Sequence, residues 1–419
     1  MKAWWSEEGE SMIRDHVPDD SILATYYIET EGRLDDVARG ICELETTGAW
    51  FGDRPPTELF LRSKGQVHKV REIDPGQGYV SLLFPVDNLN LETAAFASVW
   101  LEMIGGATFA LLAYRKSRLV DFSLPDWCHR YFPGPGFGMN GTRSLLGMED
   151  GVPIIGTIVK PTSGLTPEEV AEMCEDAATA GVRFIKDDEK MMSPAYCPLD
   201  RRVRLVAQGL KRAEDATGQR VLYAPHITAG PDRIRENAHV ALQNGASALM
   251  LNFFAAGFGS LELLRRDLGV DVPIYGHCGG REAFGRAEGQ GVAPNVVAKL
   301  ARLMGVDYFR SGIVDSYLVG TMDENLLINE TLRAPLSGML DTVPVLSGGL
   351  KPANLGRNLS VFGSDVIALA GSGIFSHPMG SKAGVQAMKQ AADAFRAGIA
   401  VEEYARDHPE LAAAITGTS

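Results

Sequence analysis

The sequence has no excess of positive charge, no long uninterrupted apolar run and no paired cysteine motif. Its 53 acidic residues outnumber 40 basic ones, for a formal net charge of -13. Nucleic-acid binding needs a basic face to neutralise phosphates, so that class is excluded as an expectation. The longest apolar stretch, "VWLEMIGGATFALLAY", is interrupted by Glu102 and falls short of a membrane span. No Lys/Arg-rich start leads into an apolar core and a cleavage site, so no export leader is expected. The five cysteines, Cys42, Cys128, Cys174, Cys197 and Cys278, are scattered, without CxxC or zinc-type spacing. They point to a reduced, cytoplasmic setting. Low-complexity tracts are also lacking. What remains is an ordinary globular balance, 45% hydrophobic and 22% charged over 419 residues, enough for a large core and more than one domain.

From about residue 150 one theme recurs: a short β-branched run, then glycine, proline or serine, then an amphipathic stretch. Strands are predicted at 154–160, 183–188, 220–224, 248–252, 273–277, 307–311, 343–347 and 366–371. Their starts lie about 20 to 40 residues apart, the pitch of βα units. "TPEE" at Thr166–Glu169 is a capping box with proline at the first helical position, and Gly181 stops that helix. "APNVVAKLARLMG" (293–305) reads as a second amphipathic helix closed by Gly305. No GxGxxG follows the first strand, so the eight units predict a (β/α)8 TIM barrel, with a doubly wound open sheet as the alternative.

The first 130 residues differ. "SILATYYIET", "TELFLRS" and "GYVSLLFPV" alternate like half-buried antiparallel strands, while "LDDVARGICELETTG" and "LETAAFASVWLEMIGG" read as helices. The Gly/Pro-rich "YFPGPGFGMNG" (131–141) reads as a linker. The expected organisation is an N-terminal α+β, ferredoxin-like domain over residues 1–140, linker included, and a catalytic α/β barrel over 141–419. The barrel ends in a helical tail from Ala383 and a polar terminus.

Active sites of such barrels lie at the C-terminal ends of the strands. Those ends carry Lys160, Lys186 with Asp188 and Glu189, His226, Asn252, His277, Arg310, Ser347–Gly348–Gly349 and Gly371–Ser372–Gly373. "FIKDDEK" (184–190) has two readings: a solvated acidic turn, or hard oxygen ligands for Mg2+. A protonated lysine is no ligand, but an amine converted by CO2 to a carbamate is. Neighbouring carboxylates favour the charged amine, so modification rather than a depressed pKa is the expected route. Asp187 is assigned a structural hydrogen bond. The two glycine loops suit a phosphate approached by backbone N–H groups. His277 is read as an acid/base or substrate-binding group. Cys278 is read as a small buried residue rather than a nucleophile, and His377 as a packing residue.

"GTIVKPTSGLTPEE", "GVRFIKDDE", the "SGG" at 347–349, "GSGIFSHPMG" and the N-terminal "ELETTGAW" together resemble the large subunit of ribulose-bisphosphate carboxylase (RuBisCO), from about residue 20 to 400. The resemblance implies that Lys186 is the carbamylated lysine, that it binds Mg2+ with Asp188 and Glu189, and that Lys160 takes part in enolisation. It implies an active-site role for His277 and substrate or phosphate contacts for Ser347, Gly348, Gly349, Gly371 and Ser372. Glu45 would reach a neighbouring subunit's site, which implies a homodimer or larger. Departures are Thr162 in place of a second lysine, Tyr317 in a sixth loop without lysine, Cys278 for an arginine, Arg310 for a histidine, and Gly106 for an asparagine. The groups for making an enediol survive, and those for adding CO2 and holding a second phosphate do not. The chain is therefore expected to be a RuBisCO-like, form IV protein that does not fix CO2. The leading expectation is an Mg2+-dependent tautomerase or isomerase of a phosphorylated ketose, as in methylthioribulose-phosphate metabolism, with Lys160 or the Lys186 carbamate moving the proton. A decarboxylase or C–C hydrolase of a phosphorylated β-keto acid, its carboxylate held by Arg310, is the alternative. A non-catalytic scaffold is a third.

Overall fold

The computed structural model describes Met12 and residues 16–267 and 269–416. The start of the chain, where a leader would lie, and the last residues of the polar tail fall outside that set. The chain divides into two compact units, one formed by residues 1–133 and 280–304 and the other by 134–279 and 305–419.

The first unit is built on a five-stranded sheet. β1 (Ser21–Glu29) pairs antiparallel with both β3 (Gln77–Pro85) and β4 (Lys116–Ser123), β2 (Gln66–Asp74) adds to β3, and the two-residue strand Gly291–Val292 runs parallel to β4. β1 is central and almost wholly buried, as its run of Ile, Leu, Tyr and Ala requires. Helix Leu34–Glu45 buries Leu34, Ala38, Ile41, Cys42 and Glu45, a spacing of three and four that makes one helical face. Helix Pro294–Leu303 packs on β4, where the Asn295 amide donates to the Val120 carbonyl at 2.9 Å.

"TELFLRS" is a helix, not a strand. Thr57 caps it by accepting from the Phe60 N–H at 3.1 Å, and Leu59 and Leu61 remain exposed. A good N-cap next to leucine-rich residues overrides a short alternation that no neighbouring strand supports. The sequence reading missed β2 because it is a charged, solvent-facing edge strand without an apolar face. The linker expectation also ran too far, since a helix already begins at Gly138 and continues to Leu146.

The second unit is an eight-stranded parallel barrel. Its strands are β5 (Ile154–Ile158), β6 (Phe184–Lys186), β7 (Leu222–Ala224), β8 (Leu249–Asn252), β9 (Ile274–His277), β10 (Tyr308–Arg310), β11 (Val343–Leu346) and β12 (Ile367–Ala370). They follow in the order β7-β6-β5-β12-β11-β10-β9-β8, and the bridge between His226 and Met250 joins the two ends. Each predicted strand is present, trimmed by one to a few residues where the chain turns. The interior is filled by Ile154, Phe184, Leu222, Ala224, Ala248, Met250, Tyr275, Tyr308, Val343, Val345, Ile367 and Leu369, with Met139 and Leu146 of the preceding helix packed against them. The capping box at Thr166–Glu169 forms as expected, and Gly181 ends that helix at φ 110°. Among the described residues no helix is long and apolar enough to cross a membrane.

Candidate active site

Alternate residues of a strand face the same side. The barrel core is therefore a register mark from which the next inward position on each strand can be counted. Beyond Ile158 comes Lys160, beyond Phe184 Lys186, and beyond Ala224 His226. Met250 is followed by Asn252, Tyr275 by His277, Tyr308 by Arg310, Val345 by Ser347, and Leu369 by Gly371. All eight positions lie at the C-terminal mouth, because the strands are parallel, and they form a staggered layer in which Lys186 stands opposite Ile158 and Arg310 opposite Val345. The polar residues singled out in the sequence are this layer, together with the residues just past it.

Lys186 is 1% exposed, with its amine 5.5 Å above the Tyr275 ring. Nζ donates to the Asp187 carbonyl at 2.9 Å and lies 4.0 Å from Glu189 Oε2. Burial lowers its pKa and outweighs the opposing pull of Glu189, Asp188 and Asp187. The carboxylates favour the charged amine as expected, but the net shift is downward, which corrects the expectation that the pKa would not be depressed: adjacency in sequence did not reveal how completely the side chain is desolvated. Asp188 is fully buried, bonded through Oδ2 to Lys160 Nζ at 2.5 Å and through Oδ1 to the Lys190 N–H at 3.1 Å. Lys160 also donates to Thr162 Oγ1 at 3.1 Å. His277 Nδ1 accepts from the Gly279 N–H at 3.2 Å, which leaves the ring hydrogen on Nε2, 3.7 Å from Glu189 Oε2. Burial, with Lys186 and Arg310 nearby, pushes His277 well below the usual histidine range. Burial, with His277, Lys186 and Arg202 nearby, likewise drives His226 down to about 3.

Asp187 faces away from the mouth, as its odd register requires. It accepts from Arg202 Nε at 3.1 Å, the Tyr223 hydroxyl at 2.8 Å and the His226 N–H at 3.0 Å. Arg202 also donates to the carbonyls of Met191, Met192 and Cys197. Sequence reasoning named Asp187 but not its partners. Arg202 left a readable signal: it is a charged residue on the helical face of Leu199, Val203, Val206 and Leu210.

Ser347 is buried at the end of β11. Gly348 and Gly349 follow at φ 101° and 107°, a region where glycine is the ready choice. A Cβ at 348 would lie 2.8 Å from Leu318 Cδ1, and one at 349 would lie 3.1 Å from the Tyr317 ring. The loop after β10 thus lies on the glycine turn, and Ser316 Oγ donates to the Gly348 carbonyl at 2.9 Å. Gly371 adjoins Lys160, whose Cγ is 3.6 Å from where a Cβ would stand, and exposed Ser372 opens a one-turn helix. Glu45 belongs to the first unit, where its carboxylate accepts from the Gly106 N–H at 2.6 Å, the Thr108 N–H at 3.0 Å and the Thr108 hydroxyl. A Cβ at 106 would come within 2.7 Å of the Glu45 carboxyl carbon, so Gly106 makes this arrangement possible. Cys278 and His377 are both buried, and His377 Nδ1 accepts from the Met379 N–H.

Among the described residues no three His, Cys, Asp or Glu side chains cluster in a way that would hold a metal. The set Lys186, Asp188 and Glu189 still fits Mg2+ chemically. Two hard carboxylates are present, and the buried amine is shifted toward the neutral form that attacks CO2, losing a proton and becoming a carbamate with ligand oxygens.

Residues 138–417 match the family described as ribulose bisphosphate carboxylase large chain, catalytic domain. Over 94% of its length the chain is 35% identical to a 3-oxo-isoapionate-4-phosphate decarboxylase from Rhizobium rhizogenes, with 98% of that protein covered. Its fold superposes on octameric ribulose-1,5-bisphosphate carboxylase/oxygenase from Pyrococcus horikoshii with a TM-score of 0.90 at 27% identity, covering 100% of this chain and 98% of the other. A rubisco-like protein (MtnW) from Alicyclobacillus acidocaldarius gives a TM-score of 0.86 at 31% identity, covering 96% of this chain and 99% of the other.

Proposed function

The chain belongs to the ribulose bisphosphate carboxylase large-chain family as a RuBisCO-like protein, and we propose that it is an Mg2+-dependent enzyme that decarboxylates a phosphorylated 3-oxo sugar acid by way of an enolate. The observation that carries this reading is the composition of the barrel mouth. Lys160, Lys186, Asp188, Glu189 and His277 gather there, the 311–320 loop contains no lysine to steady an incoming CO2, and Arg310 ends β10. The similarity to a decarboxylase over nearly the whole chain supports the same choice.

A 3-oxo acid loses CO2 when the bond between its carboxylate carbon and C2 breaks and the electron pair enters an enolate on C2 and C3. C2 then takes a proton, which gives the ketone. Lys186 as its carbamate, Asp188 and Glu189 would hold Mg2+, which as a Lewis acid offsets the charge growing on the C3 oxygen. Arg310 is assigned to the substrate carboxylate, whose planar pair of oxygens a guanidinium matches. Ser347, Gly348, Gly349, Gly371 and Ser372 are assigned to the phosphate. Lys160 Nζ, hydrogen-bonded to Asp188, is assigned to deliver the proton to carbon. His277 directs Nε2–H toward Glu189 and holds that carboxylate in orientation. Glu45 spends its carboxylate on Gly106 and Thr108 of its own chain, so the homodimer or larger assembly in this reading rests on the likeness to an octameric relative, and light scattering measures it.

The isomerase reading keeps the same enolate and exchanges a proton at C2 instead of losing CO2, and the likeness to a rubisco-like MtnW favours it. One experiment separates the two. The protein, with Mg2+ and bicarbonate, is given 3-oxo-isoapionate 4-phosphate and phosphorylated ketoses in D2O. CO2 release from the oxo acid supports decarboxylation. Deuterium incorporation into a ketose without CO2 release supports the isomerase and overturns the decarboxylase.

A further inference from the structure

His226 has no role in the catalysis described above, yet it occupies one of the eight inward positions at the mouth. It is 1% exposed, and its ring lies within electrostatic reach of His277 and Lys186. Its Nε2 is 2.5 Å from Thr228 Oγ1. Thr228 Oγ1 in turn accepts from the Asn252 N–H at 2.8 Å. That leaves the threonine hydroxyl with one hydrogen to place, and among the described residues its acceptor is His226 Nε2. A neutral imidazole that accepts at Nε2 carries its hydrogen on Nδ1. Nδ1 is buried and has no hydrogen-bond partner in the protein.

A buried donor without an acceptor is costly, and proteins keep one where a ligand completes it. We propose that His226 is a specificity-determining residue that donates its Nδ1–H to an oxygen of the bound substrate. Thr228 acts as the positioning residue: it relays a hydrogen bond from the Asn252 backbone at the end of β8 to the ring beyond β7 and so fixes the tautomer. A site built around such a donor accepts a substrate with oxygen at that point and rejects the deoxy analogue, because the analogue leaves the donor stranded in a dry pocket. The choice of substrate oxygen rests on the proposed function, since the ligand is taken to be a phosphorylated 3-oxo sugar acid.

Two measurements test this in the full chain. The first needs no substrate: nitrogen-15 and carbon-13 NMR of histidine-labelled protein, with His226→Asn to assign the resonance. A neutral ring with its hydrogen on Nδ1 is expected, and a hydrogen on Nε2 overturns the proposal. The second compares three variants with 3-oxo-isoapionate 4-phosphate. Asparagine places an amide nitrogen at the δ position and keeps the donor. Glutamine reaches Thr228 instead, and leucine offers no donor. His226→Gln and His226→Leu should lower kcat/KM by about ten- to hundredfold, with His226→Asn restoring most of it. Equal activity of all three, or equal loss in all three, overturns the donor role. If the wild-type protein releases no CO2, the decarboxylase reading falls, and the ring tautomer still decides the role of His226.

Discussion

Replacing Asp187 with alanine tests how the barrel supports its mouth. The carboxylate and its Arg202 partner are both fully buried. The substitution removes the acceptor of three donors, from Arg202, Tyr223 and the His226 backbone, and strands a guanidinium whose remaining partners are neutral carbonyls. Breaking a buried ion pair from one side costs about 3–5 kcal/mol. For a unit of this size the melting temperature moves by roughly 2 °C per kcal/mol, so calorimetry should show a fall of about 6–10 °C. Asp187→Asn should cost less, because its carbonyl still accepts from Arg202 and the His226 N–H while the Tyr223 hydroxyl reverses. The double replacement Asp187→Leu with Arg202→Met removes both charges and should recover much of the loss. Its activity should stay low, because Lys186 and Asp188 flank the altered residue. A fall of less than about 2 °C for Asp187→Ala would refute the reasoning, since it would mean the pair is solvated or replaceable.

Lys186→Met should abolish the bicarbonate-dependent part of Mg2+ binding measured by titration calorimetry, and unchanged binding counts against a carbamate ligand. Lys160→Met should lower kcat for CO2 release by about 10^2–10^4-fold with a much smaller change in KM, as expected for loss of a proton donor. Arg310→Met should raise KM for 3-oxo-isoapionate 4-phosphate by about ten- to hundredfold while affinity for the decarboxylated product stays close to wild type. Equal loss for both ligands would place Arg310 on the phosphate. Acid should destabilise the protein through His226, whose folded pKa of about 3 lies below the unfolded value near 6.5. The stability this provides is present above 6.5 and is lost as pH falls toward 3, on the order of 2 kcal/mol by pH 5, and His226→Asn should flatten that part of the melting-temperature profile.

The barrel was legible in the sequence because its signals are local and repeated. Each strand is a short apolar run, several helices have a cap or a glycine stop, and the residue just past each run is the next inward position. Counting by two from Phe184 to Lys186, or from Tyr308 to Arg310, needs no three-dimensional knowledge once a barrel is assumed. What stayed hidden depended on burial or partners. The downward shift of the Lys186 pKa follows from complete desolvation against Tyr275, which sequence neighbours do not report. Asp187 finds Arg202 fifteen residues on and Tyr223 thirty-six residues on, across two elements. The strand β2 has no apolar stripe to betray it, and "TELFLRS" shows alternation that a single threonine cap overrides.

Decarboxylation and isomerisation share an enolate, so the groups that stabilise it cannot choose between them. The choice falls to whatever holds the bond that breaks. Loss of CO2 requires the C1–C2 bond to stand perpendicular to the C3 carbonyl, so that its electrons enter the π system as it lengthens. Isomerisation requires a C–H bond there, with a base beside it. Arg310 is an inward residue two places beyond the core tyrosine of β10, and the glycine turn of β11 lies next to it: a Cβ on Gly348 would stand 3.5 Å from Arg310 Nη2. An arginine so close to the assigned phosphate turn can anchor a second anion at a fixed distance from the first. A 3-oxo sugar acid phosphate has two anions, a carboxylate at one end and a phosphate at the other, whereas a ketose monophosphate has one. The carboxylate that Arg310 would grip departs as neutral CO2, and the grip is lost with it. Such a group binds substrate better than product, so the product leaves readily once the carbon–carbon bond has broken.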